Sequence, residues 1–362
     1  FKRRLLSACD SKNRDKPMRA AVLTAKQSIE TVDRTTRSLF DTEVKVQIRA
    51  GGICGSDLHY FHHYKMGDFP VLEPFILGHE AAGIVEEIGP GVDNIDVGDK
   101  VVINPSHPCR NCEYCIKGRE LLCNDMKFLG SSRKFPHIQG MFSEIFITDQ
   151  KQCFKVPSEL SLNVAAFAEP LAVALHAVNQ AGSLLGAEVL INGSGPIGAL
   201  VLLAAKLAGV RSVTMTDIRD APLSVVRELG ADKTFNVNSG ASILTDEGNP
   251  RGNFDIAFDA SGSLQAVLVA INNLRPGGTL IQIGTFAEPN ILLPSDQLMI
   301  KEITMKSSFR FDKEFAWAVD YLAKNRIDVI PLLTHTFAME DANEAFLTAS
   351  NREKAMKVQL SF

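Results

Sequence analysis

The chain has 362 residues, of which 45% are hydrophobic, enough to form the cores of two ordinary domains. Its net charge of -4 and its pI near 6.1 exclude a broad electrostatic attraction to nucleic acid or to anionic membranes. The composition therefore favours a globular protein that acts on a small soluble molecule.

Residues 1–17 are mostly polar and lack the apolar core of a secretory signal, so we expect a disordered N-terminal extension. We expect no apolar run to reach the length of a transmembrane helix. The seven cysteines are odd in number, and four of them fall within 15 positions, which favours metal binding over a disulfide framework. A reducing, cytoplasmic location follows, and we interpret Cys9 and Cys153 as residues without a catalytic role.

Short runs rich in β-branched residues, separated by glycine and proline, extend from Met18 to about residue 160. They cover residues 19–24, 43–48, 83–88, 99–103 and 142–147. This pattern predicts the strands of an antiparallel, barrel-like domain whose loops carry functional residues.

After Pro157 the sequence alternates short apolar runs with longer helical patterns. The predicted strands lie at 189–192, 212–216, 254–258 and 279–283, and helices follow the first three of them. Such alternation predicts a doubly wound parallel sheet, which we assign to residues 161–309. Helical patterns near 313–324 and 339–350 precede a last strand at 355–360, and we expect residues 310–362 to join residues 18–160 in the first domain.

A Gly-x-Gly-x-x-Gly turn at residues 193–198 directly follows an apolar strand and opens an apolar helix. In this context the glycines allow backbone amides to approach the pyrophosphate of a dinucleotide. Asp217 ends the next strand, where a carboxylate would bind the ribose hydroxyls and favour NAD, whereas Arg219 leaves NADP open. The predicted cofactor-binding residues are Gly193, Gly195, Pro196, Ile197, Gly198, Asp217, Ile218, Arg219 and Gly284.

Four cysteines in a polar loop, Cys109, Cys112, Cys115 and Cys123, have the spacing C-x2-C-x2-C-x7-C. So compact a set of thiolates closes around one tetrahedral zinc and leaves no position open for a substrate. Buried free thiols or two disulfides are the alternative, and they suit so short a polar loop less well. We therefore predict a structural zinc site here and look for a reactive metal elsewhere.

Cys54 lies in a glycine-rich segment and His79 in a Gly-His-Glu motif, although either residue alone would also fit a packed core. Together with the cysteine loop, an Ala-Glu-Pro motif at 168–170 and the glycine turn, they follow an order that resembles the zinc-containing medium-chain dehydrogenases. The resemblance extends from Met18 to the last residue. The longer runs, at 51–60, 103–109, 166–174, 308–311 and 355–360, resemble the polyol dehydrogenase branch.

The resemblance implies an α/β protein with a GroES-like antiparallel β-barrel catalytic domain and a Rossmann domain. It also implies two zinc ions per chain and an NAD(P)-dependent oxidoreductase. Catalytic zinc would be bound by Cys54 and His79 with a carboxylate from Glu80 or Glu169. The catalytic positions would be Ser56, which contacts the reacting hydroxyl, Asp57, which orients the zinc-bound histidine, His59, a proton outlet, and Glu169.

The same resemblance implies sugar contacts by Tyr60, Arg310 and Glu169. Phe311 replaces the aromatic hydroxyl that follows this arginine in typical sorbitol dehydrogenases, so a sugar acid is the predicted substrate and a sorbitol- or xylitol-type polyol the alternative. A positive cluster at Arg133, Lys134 and His137 is either a solvated loop or a site for a substrate carboxylate. No nucleic-acid or membrane partner is expected, and the resemblance implies a homotetramer or homodimer.

A protein of a different class, a zinc- and nucleotide-binding regulator without catalytic activity, is the remaining alternative. Such a regulator would be expected to lack the open metal site. Cys54, His79, Glu80, Ser56 and Glu169 are all present, so the sequence favours an enzyme.

Overall fold

The computed structural model describes residues 17–239, 251–288 and 290–362. The expected N-terminal extension, apart from its last residue, and Cys9 lie outside the described residues. Two larger sheets organise the described part of the chain, one built from both ends of the chain and one from its middle.

The first part of the chain is mainly strands, and its two helices, α1 Gly55–His63 and α2 Glu113–Ile116, are short. Single helical turns lie at Glu120–Leu122 and Gln150–Gln152. The strands are β1 Pro17–Ala25, β2 Ser28–Thr35, β3 Glu43–Gly52, β4 Lys65–Met66, β5 Phe69–Pro70, β6 Phe75–Ile76, β7 Glu80–Ile88, β8 Lys100–Ile103, β9 Ser106–His107, β10 Lys127–Phe128, β11 Ile145–Asp149 and β12 Cys153–Lys155.

The middle of the chain alternates helices and strands, as its periodicity predicts. Its helices are α3 Leu162–Ala165, α4 Ala168–Ala181, α5 Pro196–Leu207, α6 Asp220–Glu228, α7 Leu264–Asn273 and α8 Ser295–Ile300. Its strands are β13 Glu188–Asn192, β14 Ser212–Asp217, β15 Lys233–Asn236, β16 Phe254–Asp259, β17 Leu274–Gln282 and β18 Thr304–Ser307, with a helical turn at Val237–Ser239.

The last part of the chain contains α9 Glu314–Ala323, β19 Leu333–Ala338, α10 Ala342–Ser350 and β20 Lys357–Ser361, with helical turns at Ile330–Leu332 and Met339–Asp341. β20 pairs antiparallel with β3 and parallel with β19, so the end of the chain lies in the first sheet. That sheet has the order β12-β8-β7-β3-β20-β19, and β11 also pairs with β3.

The second sheet has the order β15-β14-β13-β16-β17-β18, and all of its pairs are parallel. The strand order reverses between β13 and β16, which creates a crevice outside the carboxyl ends of these two strands. The largest apolar core packs α4 and α5 against this sheet and reaches α9. This strand order confirms the predicted α/β class with a doubly wound parallel sheet.

One apolar stretch contradicts the expectation that none would reach membrane-spanning length. Residues Leu162–Ala181 meet that criterion by length and composition, although 72% of the apolar window is buried inside the molecule. The stretch includes α4, whose buried side chains belong to the largest core. Its apolar character is therefore explained by core packing.

Helix α1 was not predicted, because Gly55 and Ser56 form its first turn and both are weak helix formers. The Asp57 carboxylate accepts a hydrogen bond from the Cys54 backbone amide at 2.9 Å, which fixes the start of the helix. The helix places Cys54 at its N-terminus and the segment Ser56–Tyr60 against the site described next.

Candidate active site

A cleft of about 820 Å³ lies between the two domains. One wall is the glycine turn between β13 and α5, continued by residues 217–219 after β14. The opposite wall includes Cys54 at the start of α1 and Arg352 and Lys357 at the end of the chain. The cleft occupies the crevice where dinucleotides bind to sheets with this strand order.

Two of the three glycines of the turn are required by the backbone geometry. Gly193 has a φ of 90°, and a Cβ on Gly198 would lie 1.8 Å from the carbonyl oxygen of Gly193. A Cβ on Gly195, in contrast, would have no neighbour within 4 Å. The turn therefore leaves open space at the N-terminus of α5, where backbone amides and the helix dipole favour a phosphate.

Asp217 lines the cleft, and backbone amides hold its carboxylate in place. Ser194 donates to Oδ2 at 2.8 Å and Arg219 donates to Oδ1 at 3.0 Å. Arg219, which also lines the cleft, pairs with Glu353, with Nε and Oε1 3.4 Å apart. This arrangement leaves a carboxylate facing the cleft while the nearby guanidinium is paired.

The other predicted cofactor residues divide into two groups. Pro196, Ile197 and Ile218 line the cleft. Gly284 does not, and a Cβ there would lie 2.2 Å from the backbone nitrogen of Gly262. Its lack of a side chain is therefore explained by close packing of two loops.

Cys54, His79 and Glu80 come together although they lie on different elements. One ligand atom from each residue lies within 4.8 Å of the others. Cys54 precedes α1, His79 precedes β7, and Glu80 is the first residue of β7. A thiol, an imidazole and a carboxylate form a donor set that zinc prefers, and three protein ligands leave one position open.

The Glu80 carboxylate is completely buried and lies beside the ammonium group of Lys357. Lys357 donates to Oε1 at 2.6 Å, and its Nζ is 2.5 Å from Oε2. Oε2 accepts no hydrogen bond of satisfactory geometry. A Cβ on Gly52 would lie only 2.0 Å from Oε2, so the glycine makes space for this oxygen. A buried carboxylate oxygen with an unsatisfied lone pair fits a metal ion at this point.

The His79 ring is buried and has a polar neighbour on each side. Its Nδ1 lies 3.6 Å from Asp57 Oδ1, and its Nε2 lies 3.4 Å from Ser56 Oγ. Burial lowers the pKa of His79, but the charges of Asp57 and Cys54 outweigh it and raise that pKa well above the usual range. Asp57 therefore faces the Nδ1 side of the ring, and a metal ion bound at His79 would displace a proton from it.

Glu169 lies in the first turn of α4 and is buried, but it does not belong to the three-residue cluster. Its pKa is raised to about 7, mainly by burial; the charge of His79 opposes this increase and the charge of Glu80 adds to it. Of the two carboxylates left open by the sequence, the geometry therefore favours Glu80 as the direct ligand.

Three further predicted residues, His59, Tyr60 and Arg310, do not line the cleft. His59 is half-buried on α1, and its ring centroid is 4.6 Å from that of His63. Tyr60 is buried, and its hydroxyl accepts hydrogen bonds from Ser132 N at 3.0 Å and Ser132 Oγ at 3.3 Å. Arg310 stacks over the ring of Phe128, with its Cζ 3.7 Å from the centroid.

Phe311 points away from the cleft. It is 2% exposed, and its ring centroid lies 5.4 Å from that of Phe315 on α9.

Two other buried residues have structural roles. His176 lies on α4 with its Nδ1 3.1 Å from Glu314 Oε2, so it joins α4 to α9. Burial raises the pKa of the Cys153 thiol to about 12, so that thiol stays protonated.

The four cysteines of the loop at 109–123 form a second cluster, with one sulfur from each within 4.8 Å of the others. All described cysteines are free thiols, so the disulfide alternative is not observed. Backbone amides donate to Cys123 Sγ from Cys109 at 3.1 Å and from Asp125 at 3.3 Å. Four sulfurs with such donors match a closed structural zinc site.

Sequence reasoning missed Arg352 and Lys357, which both line the cleft. Lys357 is 277 residues away from Glu80 along the chain, and no spacing rule connects them. The one signal in the sequence was that the apolar last strand begins with a lysine. A lysine buried in a strand needs a charged partner, which would have indicated a buried carboxylate nearby.

Comparison with known proteins gives the family. Residues 41–158 match the alcohol dehydrogenase GroES-like domain, and residues 196–324 match the zinc-binding dehydrogenase domain. The chain is 40% identical over 320 residues to an L-idonate 5-dehydrogenase (NAD(P)(+)) of Escherichia coli, covering 88% of this chain and 91% of that one. It is 35% identical over 332 residues to a probable D-xylulose reductase A of Neosartorya fischeri, covering 90% and 91%.

A crystal structure of L-idonate 5-dehydrogenase from Escherichia coli superposes with a TM-score of 0.92 at 37% identity. The match covers 97% of this chain and all of the other. Both domains and their connections are therefore shared.

Proposed function

The chain belongs to the zinc-binding dehydrogenases with a GroES-like alcohol dehydrogenase domain, and on this basis we propose that it is an L-idonate 5-dehydrogenase. The reaction would convert L-idonate to 5-ketogluconate with NAD(P). The observation that carries the proposal is the cluster of Cys54, His79 and Glu80 beside the cofactor cleft. The similarity to the Escherichia coli enzyme over both domains supports the choice of substrate.

The ligand set supports catalytic zinc, and the four cysteines support structural zinc. When bound by Cys54, His79 and Glu80, zinc would act as a Lewis acid that lowers the pKa of a substrate hydroxyl. When bound in the cleft, NAD(P) would accept the hydride. Asp57 faces the Nδ1 side of His79, so its role in the proposal is to hold the imidazole in its binding orientation.

The proton released by the substrate hydroxyl needs a path to solvent. Ser56 Oγ is 3.4 Å from His79 Nε2, the ring nitrogen on the side opposite Asp57. In the proposal Ser56 accepts the proton and releases its own hydroxyl proton through the cofactor ribose toward His59, which is half-buried on the same helix and passes it outward. Burial lowers the pKa of His59, with smaller contributions from His63 and Lys65, so the neutral imidazole is available as a base.

We assign NAD as the preferred cofactor. The carboxylate of Asp217 faces the cleft, where it would bind ribose hydroxyls and repel a 2′-phosphate. Arg219 is paired with Glu353 at 3.4 Å and is therefore less available to such a phosphate. NADP is the alternative.

A polyol dehydrogenase acting on xylitol or sorbitol is the second candidate, favoured by the 35% identity to a probable D-xylulose reductase. The test is a panel of L-idonate, D-gluconate, sorbitol, xylitol and L-threonine with NAD and with NADP. Reduced nicotinamide absorbance would give kcat/KM for each pair. We expect the highest value with L-idonate, whereas a clear preference for xylitol or sorbitol would refute the proposed substrate and leave the metal site intact.

We further propose a cytoplasmic homo-oligomer, a tetramer or a dimer. The free state of the described cysteines supports a reducing compartment. The edge strand β18 lies at one end of the second sheet and supports pairing between subunits.

A further inference from the structure

The loop at 131–138 carries three basic side chains close to the proposed site, and its backbone is firmly anchored. Ser131 and Ile138 exchange two backbone hydrogen bonds, each of 3.1 Å. The next residue, Ser132, donates through both its backbone amide and its hydroxyl to Tyr60 on α1. The loop therefore holds a fixed position relative to α1.

Two of the three basic residues have local partners. Lys134 pairs with Asp125. His137 donates from Nδ1 to the Lys134 carbonyl at 2.9 Å and accepts from the Leu72 amide at Nε2 at 2.8 Å. Both ring nitrogens are therefore occupied, and these two residues stabilise the loop.

Arg133 differs from its neighbours in the loop. Its side chain is exposed, and its Cζ lies over the ring of Phe69, 5.1 Å from the centroid. No carboxylate lies within ion-pair distance of it among the described residues. Its guanidinium group is therefore held by an aromatic ring and remains free to bind an anion.

A second unpaired guanidinium lies nearby, on Arg310. Its backbone adopts a φ of 53°, and its Cζ lies between the rings of Phe128 and Phe309, at 3.7 and 4.8 Å from their centroids. The pKa of Arg310 is lowered to about 10, mainly by burial and in part by the charge of Arg133. Two like charges thus face the same region, which is unfavourable unless an anion lies between them.

Phe128 lies between Arg310 and the metal cluster. Its ring centroid is 5.5 Å from the centroid of His79, and the Arg310 guanidinium stacks over the same ring. A substrate whose hydroxyl is at the metal cluster would extend along Phe128 toward the arginines. In an aldonic acid oxidised at C5, the carboxylate is at the far end of the carbon chain.

We propose that Arg133 is a specificity-determining residue that, together with Arg310, binds the carboxylate of a sugar acid. The inference rests on the proposed function and deepens it, because it explains how an acid is distinguished from a neutral polyol. Two guanidinium groups offer planar forks that match a carboxylate.

The test compares L-idonate with L-iditol, which has the same carbon skeleton and hydroxyl configuration but no carboxylate. In the zinc-loaded protein we expect Arg133→Gln to raise KM for L-idonate by about tenfold with little change in kcat, as for loss of one charged contact. Arg133→Lys, which keeps the charge, should raise KM for L-idonate by less than Arg133→Gln does. Kinetics with L-iditol should not change, which also verifies that the variant is folded.

Lys134→Gln is the matched control, because it removes a charge from the same loop that is already paired with Asp125. Higher ionic strength should raise KM for L-idonate in the parent protein and much less in Arg133→Gln. An unchanged ratio of L-idonate to L-iditol activity in Arg133→Gln would overturn this inference alone. A parent protein that oxidises L-iditol but not L-idonate would overturn the proposed function and this inference with it.

Discussion

The Glu80 carboxylate is positioned by residues that are distant in sequence. Lys357 contacts the carboxylate from β20, and Gly52 on β3 leaves the space that Oε2 occupies. Glu169 is equally buried but belongs to α4 and lies outside the cluster. The two carboxylates therefore have different roles in the proposal, Glu80 as a ligand and Glu169 as a nearby acid.

A pair of variants distinguishes these roles. We expect Glu80→Gln to reduce the zinc content from two ions per chain to one, because an amide oxygen is a poorer zinc ligand than a carboxylate. Glu169→Gln should keep both ions. Zinc would be measured by atomic emission after dialysis, with circular dichroism as a check on folding.

Glu80→Gln also leaves the ammonium group of Lys357 buried without its partner, which costs about 3–5 kcal/mol. A folded protein with one zinc ion would therefore identify ligand loss, whereas loss of both ions would indicate general unfolding. Zinc loss in Glu169→Gln with retention in Glu80→Gln would show that the assignment is reversed.

Helix α4, which carries Glu169, packs against α9. Glu314 begins α9 and is 2% exposed. It lies 3.1 Å from His176 Nδ1 and accepts from Asn179 Nδ2 at 2.8 Å and from the Asp312 amide at 3.0 Å. Burial alone would raise the pKa of Glu314, but these contacts lower it to about 2.

We expect Glu314→Gln to lower the free energy of unfolding at neutral pH by up to about 3 kcal/mol, the value that corresponds to a pKa reduced from 4.5 to about 2. The carboxylate contributes this stability above its unfolded pKa and loses it as the pH falls toward 2. The parent protein should therefore lose more stability than the variant between pH 5 and pH 2. Urea unfolding at several pH values would measure the difference, and identical pH dependence in both proteins would contradict the prediction.

The regular elements were predictable because their periodicity is local. Strand β14, for example, is a short, continuously buried run, and α5 is a longer apolar helix, the alternation of elements that a parallel α/β sheet requires. Helix α1 was not predictable from propensity, because Asp57 stabilises its start through a side-chain contact. At the site, Cys54 and His79 were found by resemblance, but the pairing of Lys357 with Glu80 depends on the packing of β20 beside β3.

The charges of the loop at 131–138 were also not predictable from the sequence alone. The sequence gives three basic residues at 133–137 and does not distinguish between them. Only the fold brings Asp125 to Lys134 and leaves Arg133 over Phe69. Which charge remains available for a ligand is therefore a property of the tertiary structure.

The second sheet ends in an edge strand, β18. In the second sheet, β18 pairs with β17 on one side and ends the sheet on the other. The preceding helix α8 has no buried residue, and Met299 and Ile300 are 73% and 75% exposed. An unpaired strand edge next to exposed apolar side chains is a surface that a monomer would have to protect in some other way.

We expect this surface to form the contact between two subunits, with β18 of each subunit at a two-fold axis. Because both partners of such a contact use the same residues, one substitution places two charges at the interface. Ile300→Arg should therefore shift the protein from oligomer to monomer in size-exclusion chromatography with light scattering. Leu185→Arg is the control, since Leu185 is 82% exposed in the loop before β13 and its substitution should not change the mass. An oligomer that Ile300→Arg leaves intact would show that the subunits meet elsewhere, and a monomeric parent would show that β18 needs no partner.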